Sequence, residues 1–186
     1  MSNDVNDVAP IDLDGLQDAI LAAITTAFTT SGVCLFKTVA DYERMAGKIE
    51  CPALFLDVVQ VEPSDDDGTG QLNAFIRYDA YIIYKMDSAN YKRECRKTAL
   101  AVAGLVNANR WGQPVSPGKL LGCYKDTFEP QLDSYEVWRV EWHQEAYQGV
   151  SIWAVSTPPV TQVLLALSPA ISIASEYADI TAGESI

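Results

Sequence analysis

The chain has 186 residues, 48% of them hydrophobic and 20% charged, with a formal net charge of −12 and a sequence pI near 4.3. That length gives one domain with extensions and a sizeable core, and the composition is that of a soluble globular protein. The acidity excludes general nucleic-acid binding, which needs basic groups for phosphates, and attraction to an anionic membrane surface. Cys34, Cys51, Cys95 and Cys123 lie far apart without a CxxC pair, and His143 is the single histidine. Reduced thiols rather than a zinc site are therefore expected. The start, Met1–Asp7, is acidic and polar, unlike the cationic start of a signal peptide. The apolar runs are broken by Pro, Ser or charge before membrane-spanning length. The expectation is a protein made and kept in a cytoplasm unless an assembly carries it elsewhere, with no membrane partner.

Residues 1–10 read as a flexible lead-in ending at Pro10. Leu13, Leu16, Ile20, Ile24 and Phe28 then recur at threes and fours, the stripe of an amphipathic helix. Asp12, Asp14 and Asp18 favour its N-terminal end, where the helix dipole suits negative charge, and Ser31-Gly32 stops it. A short strand is expected over Gly32–Val39, and at most a helical turn over Asp41–Gly47.

Next comes a hairpin-like pair, Pro52–Glu62 and Leu72–Met86, joined by a loop that contains Asp65, Asp66 and Asp67. The first arm is evenly apolar, as a strand covered on both faces would be. The second alternates with period two over a long run rich in Tyr and Ile, predicting a half-buried strand. Asp67-Gly68-Thr69-Gly70 tolerates positive φ and lets the chain reverse. After Met86 the period becomes helical: Asp87 or Ser88 can cap, and Tyr91, Cys95, Ala99, Val102 and Val106 share one face. Lys92, Arg93, Arg96 and Lys97 make another face basic, read either as a solvated face or as a contact for the acidic loop of another copy.

Asn109–Pro130 is rich in Gly and Pro, with room for a short strand between Leu120 and Phe128. Tyr135–Tyr147 alternates cleanly, with Trp138, Val140, Trp142 and Ala146 on one face and Val137, Arg139, Glu141, His143 and Glu145 on the other. That predicts a strand with one wet face, and a surface histidine with no organised nucleophile beside it. From Val150 onward, β-prone pieces (Val150–Val155, Val160–Leu167, Ala170–Ala174) alternate with Pro158-Pro159 and Pro169. They are too apolar to stay disordered in water. Val163, Leu164, Leu165, Leu167, Ile171 and Ile173 either join the domain's own sheet or form an arm that completes a neighbour's sheet by strand addition.

The order is helix, strands around an acidic loop, helix, irregular connection, strand and β-rich tail. It predicts an α+β fold: a mainly antiparallel, mixed sheet with two helices on one face and a β-rich C-terminal extension. The expected division is a lead-in over 1–10, one domain over 11–156 and an arm over 157–186. The stretch Asp12-Leu13-Asp14-Gly15-Leu16-Gln17-Asp18-Ala19-Ile20, then Val33–Val39, Pro52-Ala53-Leu54-Phe55-Leu56, the long Tyr/Ile strand and the basic Tyr91–Val106 helix carry a likeness. Over about residues 11–150 the chain resembles phage tail terminator (tail-completion) proteins, notably those of Mu-like contractile-tailed phages.

That resemblance implies a virion protein of the neck, assembled in the host cytoplasm. It forms a ring, usually hexameric, that caps the last tail-tube ring, stops tail growth and offers a surface to the head connector. The implied partners are further copies of the chain, the tail tube protein, the head–tail connector protein and, as an additional candidate, the tail sheath. Genomic DNA would pass through the ring without specific binding, and no cofactor or chemistry is implied. The candidate interface comprises the acidic loop, the four basic helix residues and the apolar arm. Another neck component, such as a head-completion or connector protein, is the alternative. An enzyme with dispersed catalytic residues is a third reading, but GxSxG, HExxH and phosphate-loop glycines are missing. Asp57 in an apolar strand is the remaining oddity, and an Arg77 partner on the adjoining strand would make it structural.

Overall fold

A computed structural model describes residues 10–31, 34–42, 49–87, 89–126, 134–152, 164–165 and 178–179. The chain divides into two compact units, Met1–Ala154 and Val155–Ile186. The first holds helix α1 (Leu13–Ser31), strands β1 (Thr38–Asp41), β2 (Ala53–Pro63) and β3 (Leu72–Lys85), helix α2 (Tyr91–Val106), and strands β4 (Lys119–Asp126) and β5 (Tyr135–Gln148). These strands make one five-stranded sheet in the order β1-β2-β3-β5-β4. β1 runs parallel to β2, and every other pairing is antiparallel. The fold is α+β, as expected. In the second unit, β6 (Leu164–Leu165) pairs antiparallel with β7 (Ala178–Asp179).

One face of the sheet carries the core. Leu16, Ile20, Ile24 and Phe28 of α1 and Cys95, Ala99, Val102 and Val106 of α2 are buried in one cluster. They join Leu54 and Leu56 of β2, Ile76, Tyr78, Ala80 and Ile82 of β3, and Val140, Trp142 and Ala146 of β5. These are alternate residues of each strand, as the two-residue pleat requires. Asp12 caps α1, its carboxylate accepting from Gly15 N at 3.2 Å. On the helix's solvent side, the hydroxyls of Thr25, Thr26, Thr29 and Thr30 each donate to the carbonyl four residues back. Between α2 and β4, Gln144 accepts from Trp111 Nε1 at 2.7 Å and donates to Asn109 O and Ser116 O. That buried amide pins the turn-rich segment to β5.

Several expectations are corrected. The strand expected over Gly32–Val39 lies later, at Thr38–Asp41, while Cys34 and Phe36 turn into the core and Phe36 packs on Phe28 at 5.0 Å. Asp41 belongs to that strand, and 43–48 lie outside the described residues. The N-cap of α2 is Asn90, not Asp87; no side-chain cap bond forms there, and the Asn90 carbonyl accepts from Arg93 N and Glu94 N instead. Ser88 lies outside the described residues. β2 is fully buried only over Ala53–Leu56, where apolar clusters lie on both faces, and Val59, Gln60, Val61 and Glu62 are exposed. β3 is mostly buried on both faces because it is the central strand. On the face of β5 expected to be wet, Val137 and Glu141 are buried and Arg139, His143 and Glu145 are half-buried. Val150–Ile152 is not strand, and 153–155 lie outside the described residues.

Candidate functional site

On the sheet's second face, charged residues of β3 and β5 partly shield one another from solvent. In register, Asp57, Asp79 and Glu141 lie in a row across β2, β3 and β5. The rows on either side supply the cations, Arg77 and Arg139. Arg139 Nη1 donates to Asp79 at 3.0 Å, and its Nε lies 3.6 Å from Asp126. Arg77 pairs with Glu141, which also accepts from Tyr124 OH at 2.7 Å. The Arg139 guanidinium lies 4.9 Å from the Tyr124 ring centre. Arg77 thus pairs with Glu141, and Asp57 sits opposite Asp79 in the register.

Burial pushes the Asp79 carboxyl up, with Arg139 opposing. For Glu141 burial also pushes upward, but the hydrogen bonds from Tyr124 and Arg77 outweigh it and the net shift is down. Burial opposes the charge of Arg139, yet the carboxylate of Asp79 raises it overall. His143 stacks on Phe75 with ring centres 4.9 Å apart and planes 13° apart. Burial first, then Lys119 and Arg77, lowers its pKa, so the ring is neutral near pH 7. Its position suits packing. At one end of this face a smaller apolar cluster forms around Phe55, Tyr81, Ile83 and Val137.

The expected interface residues occupy the ends of the sheet. Asp65, Asp66 and Asp67 are exposed in the β2–β3 loop. Asp66 accepts from Gly68 N at 2.8 Å, and buried Asn73 donates to Asp65 O, Asp67 and Glu145. Asp67 also accepts from Tyr147 OH, a bond that holds that phenol up at about 12. The acidic loop is therefore anchored at its base, and its three aspartates stay exposed.

Lys92, Arg93, Arg96 and Lys97 are all exposed in the first two turns of α2. Lys97 lies 3.8 Å from Glu94, and Arg96 Nε donates to Lys92 O at 3.2 Å. Among the described residues, Lys92, Arg93 and Arg96 form no ion pair. Cations at a helix N-terminus oppose the dipole, so this placement disfavours the isolated helix. The loop leaves one end of β3 and α2 follows the other. Fourteen residues separate them, about 45 Å at the usual rise per residue. One subunit cannot bring its own acidic loop to its own basic turns.

Of the arm residues, Leu164 and Leu165 form β6; Val163, Leu167, Ile171 and Ile173 lie outside the described residues. Sequence reading missed the Asp79–Arg139–Glu141–Arg77 lattice. Its signal was present: opposite charges at alternate positions of two strands that the apolar pattern would pair. It also passed over Leu100, an apolar residue off the buried stripe of α2.

No helix among the described residues is long and apolar enough to cross a membrane. No protein-family model matches the chain, and no curated protein matches it. Among solved structures, the chain is similar to one titled "Virion of native gene transfer agent (GTA) particle", at 14% identity and a TM-score of 0.46. The match covers 73% of this chain and 97% of that one.

Proposed function

We propose that the chain is a structural virion protein of a phage neck, a tail terminator whose copies form a ring. The ring caps the tail tube, ends tail growth and meets the head connector. The resemblance carried by residues 11–150 supports this reading. One observation of geometry carries it: exposed charge of opposite sign at the two ends of a single sheet, too far apart to neutralise within one subunit. Repeated head-to-tail contacts between such ends close into rings when the rotation permits. In this proposal the next copy is the principal partner, and the tube and connector proteins meet the ring's two faces. An acidic lumen would repel passing DNA and keep it from sticking. The C-terminal arm, residues 157–186, packs on a neighbouring copy or on a tube or connector protein.

The test is a double reversal, Lys92→Glu with Arg96→Glu, followed by sedimentation across a salt series. Each exposed pair contributes only ~0.2–1 kcal/mol, so two reversals are needed. The expected outcome is weaker self-association together with a flatter salt dependence. Unchanged association would make the basic face merely solvated.

A further inference from the structure

An apolar cleft of about 400 Å³ opens between the N-terminus of α1 and the outer ends of β2, β3 and β5. Ile11, Leu13, Val61 and Leu72 line it, and Asp12 and Asp14 stand at its margin. Val61 and Leu72 are 54% and 53% exposed, so apolar surface faces solvent here. The acidic loop leaves the same ends of β2 and β3, which gives the cleft an acidic surround.

Helix α2 presents the complement. Leu100 is 70% exposed and lies three, four and seven residues from Lys97, Arg96 and Arg93, on one helical face. It does not line the cleft of its own chain. Gly104 lies one turn further along. A Cβ there would meet nothing within 4 Å, so packing inside the subunit does not call for glycine. Glycine in a helix interior is costly relative to alanine, and close approach by another surface supplies a reason for it.

We infer that the cleft of one copy receives Leu100 of the next, with Gly104 giving clearance and the α2 cations lying over the acidic loop. The inference rests on the ring reading and names its interface. The burial is non-directional and supplies the attraction, while the charges set the register. Knob and cleft are different surfaces, so the contact is heterologous: a pair keeps one free knob and one free cleft, and a closed ring uses them all.

The experiment uses three full-length variants, Leu100→Asp, Leu72→Asp and Gly104→Ala, in sedimentation equilibrium beside the unaltered chain. Circular dichroism checks the fold, which exposed positions should preserve. Each aspartate variant alone is expected to self-associate at least tenfold more weakly. Mixed together, the two aspartate variants should form pairs that stop at two copies, because one retains a good cleft and the other a good knob. Gly104→Ala should raise the thermal midpoint and still weaken association, a combination that a purely intramolecular role would not give. An aspartate variant that assembles like the unaltered chain overturns the knob and cleft and leaves the ring reading standing. An unaltered chain that stays monomeric and shows no ring in assembled particles overturns both.

Discussion

Arg139 bridges Asp79 and Asp126 while lying against the Tyr124 ring, so one side chain organises the polar face of the sheet. Removing it strands Asp79, whose side chain is 2% exposed. Breaking a buried pair by deleting one partner costs about 3 kcal/mol at the lower end of the measured range; the 30% exposure of Arg139 argues for that end. Arg139→Ala is therefore expected to destabilise the fold by that order at pH 7 in denaturant titration. The pH dependence has a definite sign. Asp79 already has a raised pKa in the fold, so its contribution favours stability at low pH and is lost as pH rises through the folded value. Deleting the cation raises that pKa further, so the cost of Arg139→Ala should shrink on acidification, once the carboxyl is protonated. Glu141 works the other way: its pKa is lowered, and its stabilisation fades as pH falls through the folded value.

The elements show what local pattern can carry. The 3.6-residue stripe located both helices, and the expected bounds of the second match Tyr91–Val106. Alternation located β3 and β5, because the pleat itself imposes period two. What alternation cannot report is a strand's place in the sheet. Arg77, Asp79, Arg139 and Glu141 look like wet residues one strand at a time. Only the register shows that they close over one another. β1 was misplaced for the same reason. Its position follows from parallel pairing with Ala53–Leu56, and the apolar Cys34 and Phe36 before it serve the core without strand pairing.

Two glycines give a paired test at this scale. A Cβ at Gly118 would lie 2.4 Å from the carbonyl oxygen of Val106, which is backbone and cannot step aside cheaply. Gly118→Ala should therefore cost ~1–3 kcal/mol, the range for overpacking. At Gly104 the same change meets open space and should stabilise the isolated subunit by up to ~1 kcal/mol. Chemical denaturation of both variants checks the opposite signs.

At the scale of the whole molecule, the charged ends of the sheet were half legible. The sequence shows three adjacent aspartates and four clustered cations, but their separation depends on β3 running unbroken between them. The apolar cleft was not legible, because it gathers Ile11, Val61 and Leu72 from segments far apart in sequence. An acidic, apolar-floored end and a basic, leucine-bearing helix make a subunit suited to repeating contacts of one kind. Such contacts weaken with salt as the exposed charges are screened. Native mass measurement of the full-length chain at low salt, paired with the rotational symmetry of the neck in assembled particles, tests this most directly. The expected result is a closed ring of identical copies, six by resemblance, that loosens as salt is raised. A chain that stays monomeric at every concentration, in particles whose neck holds no ring of it, would contradict the account.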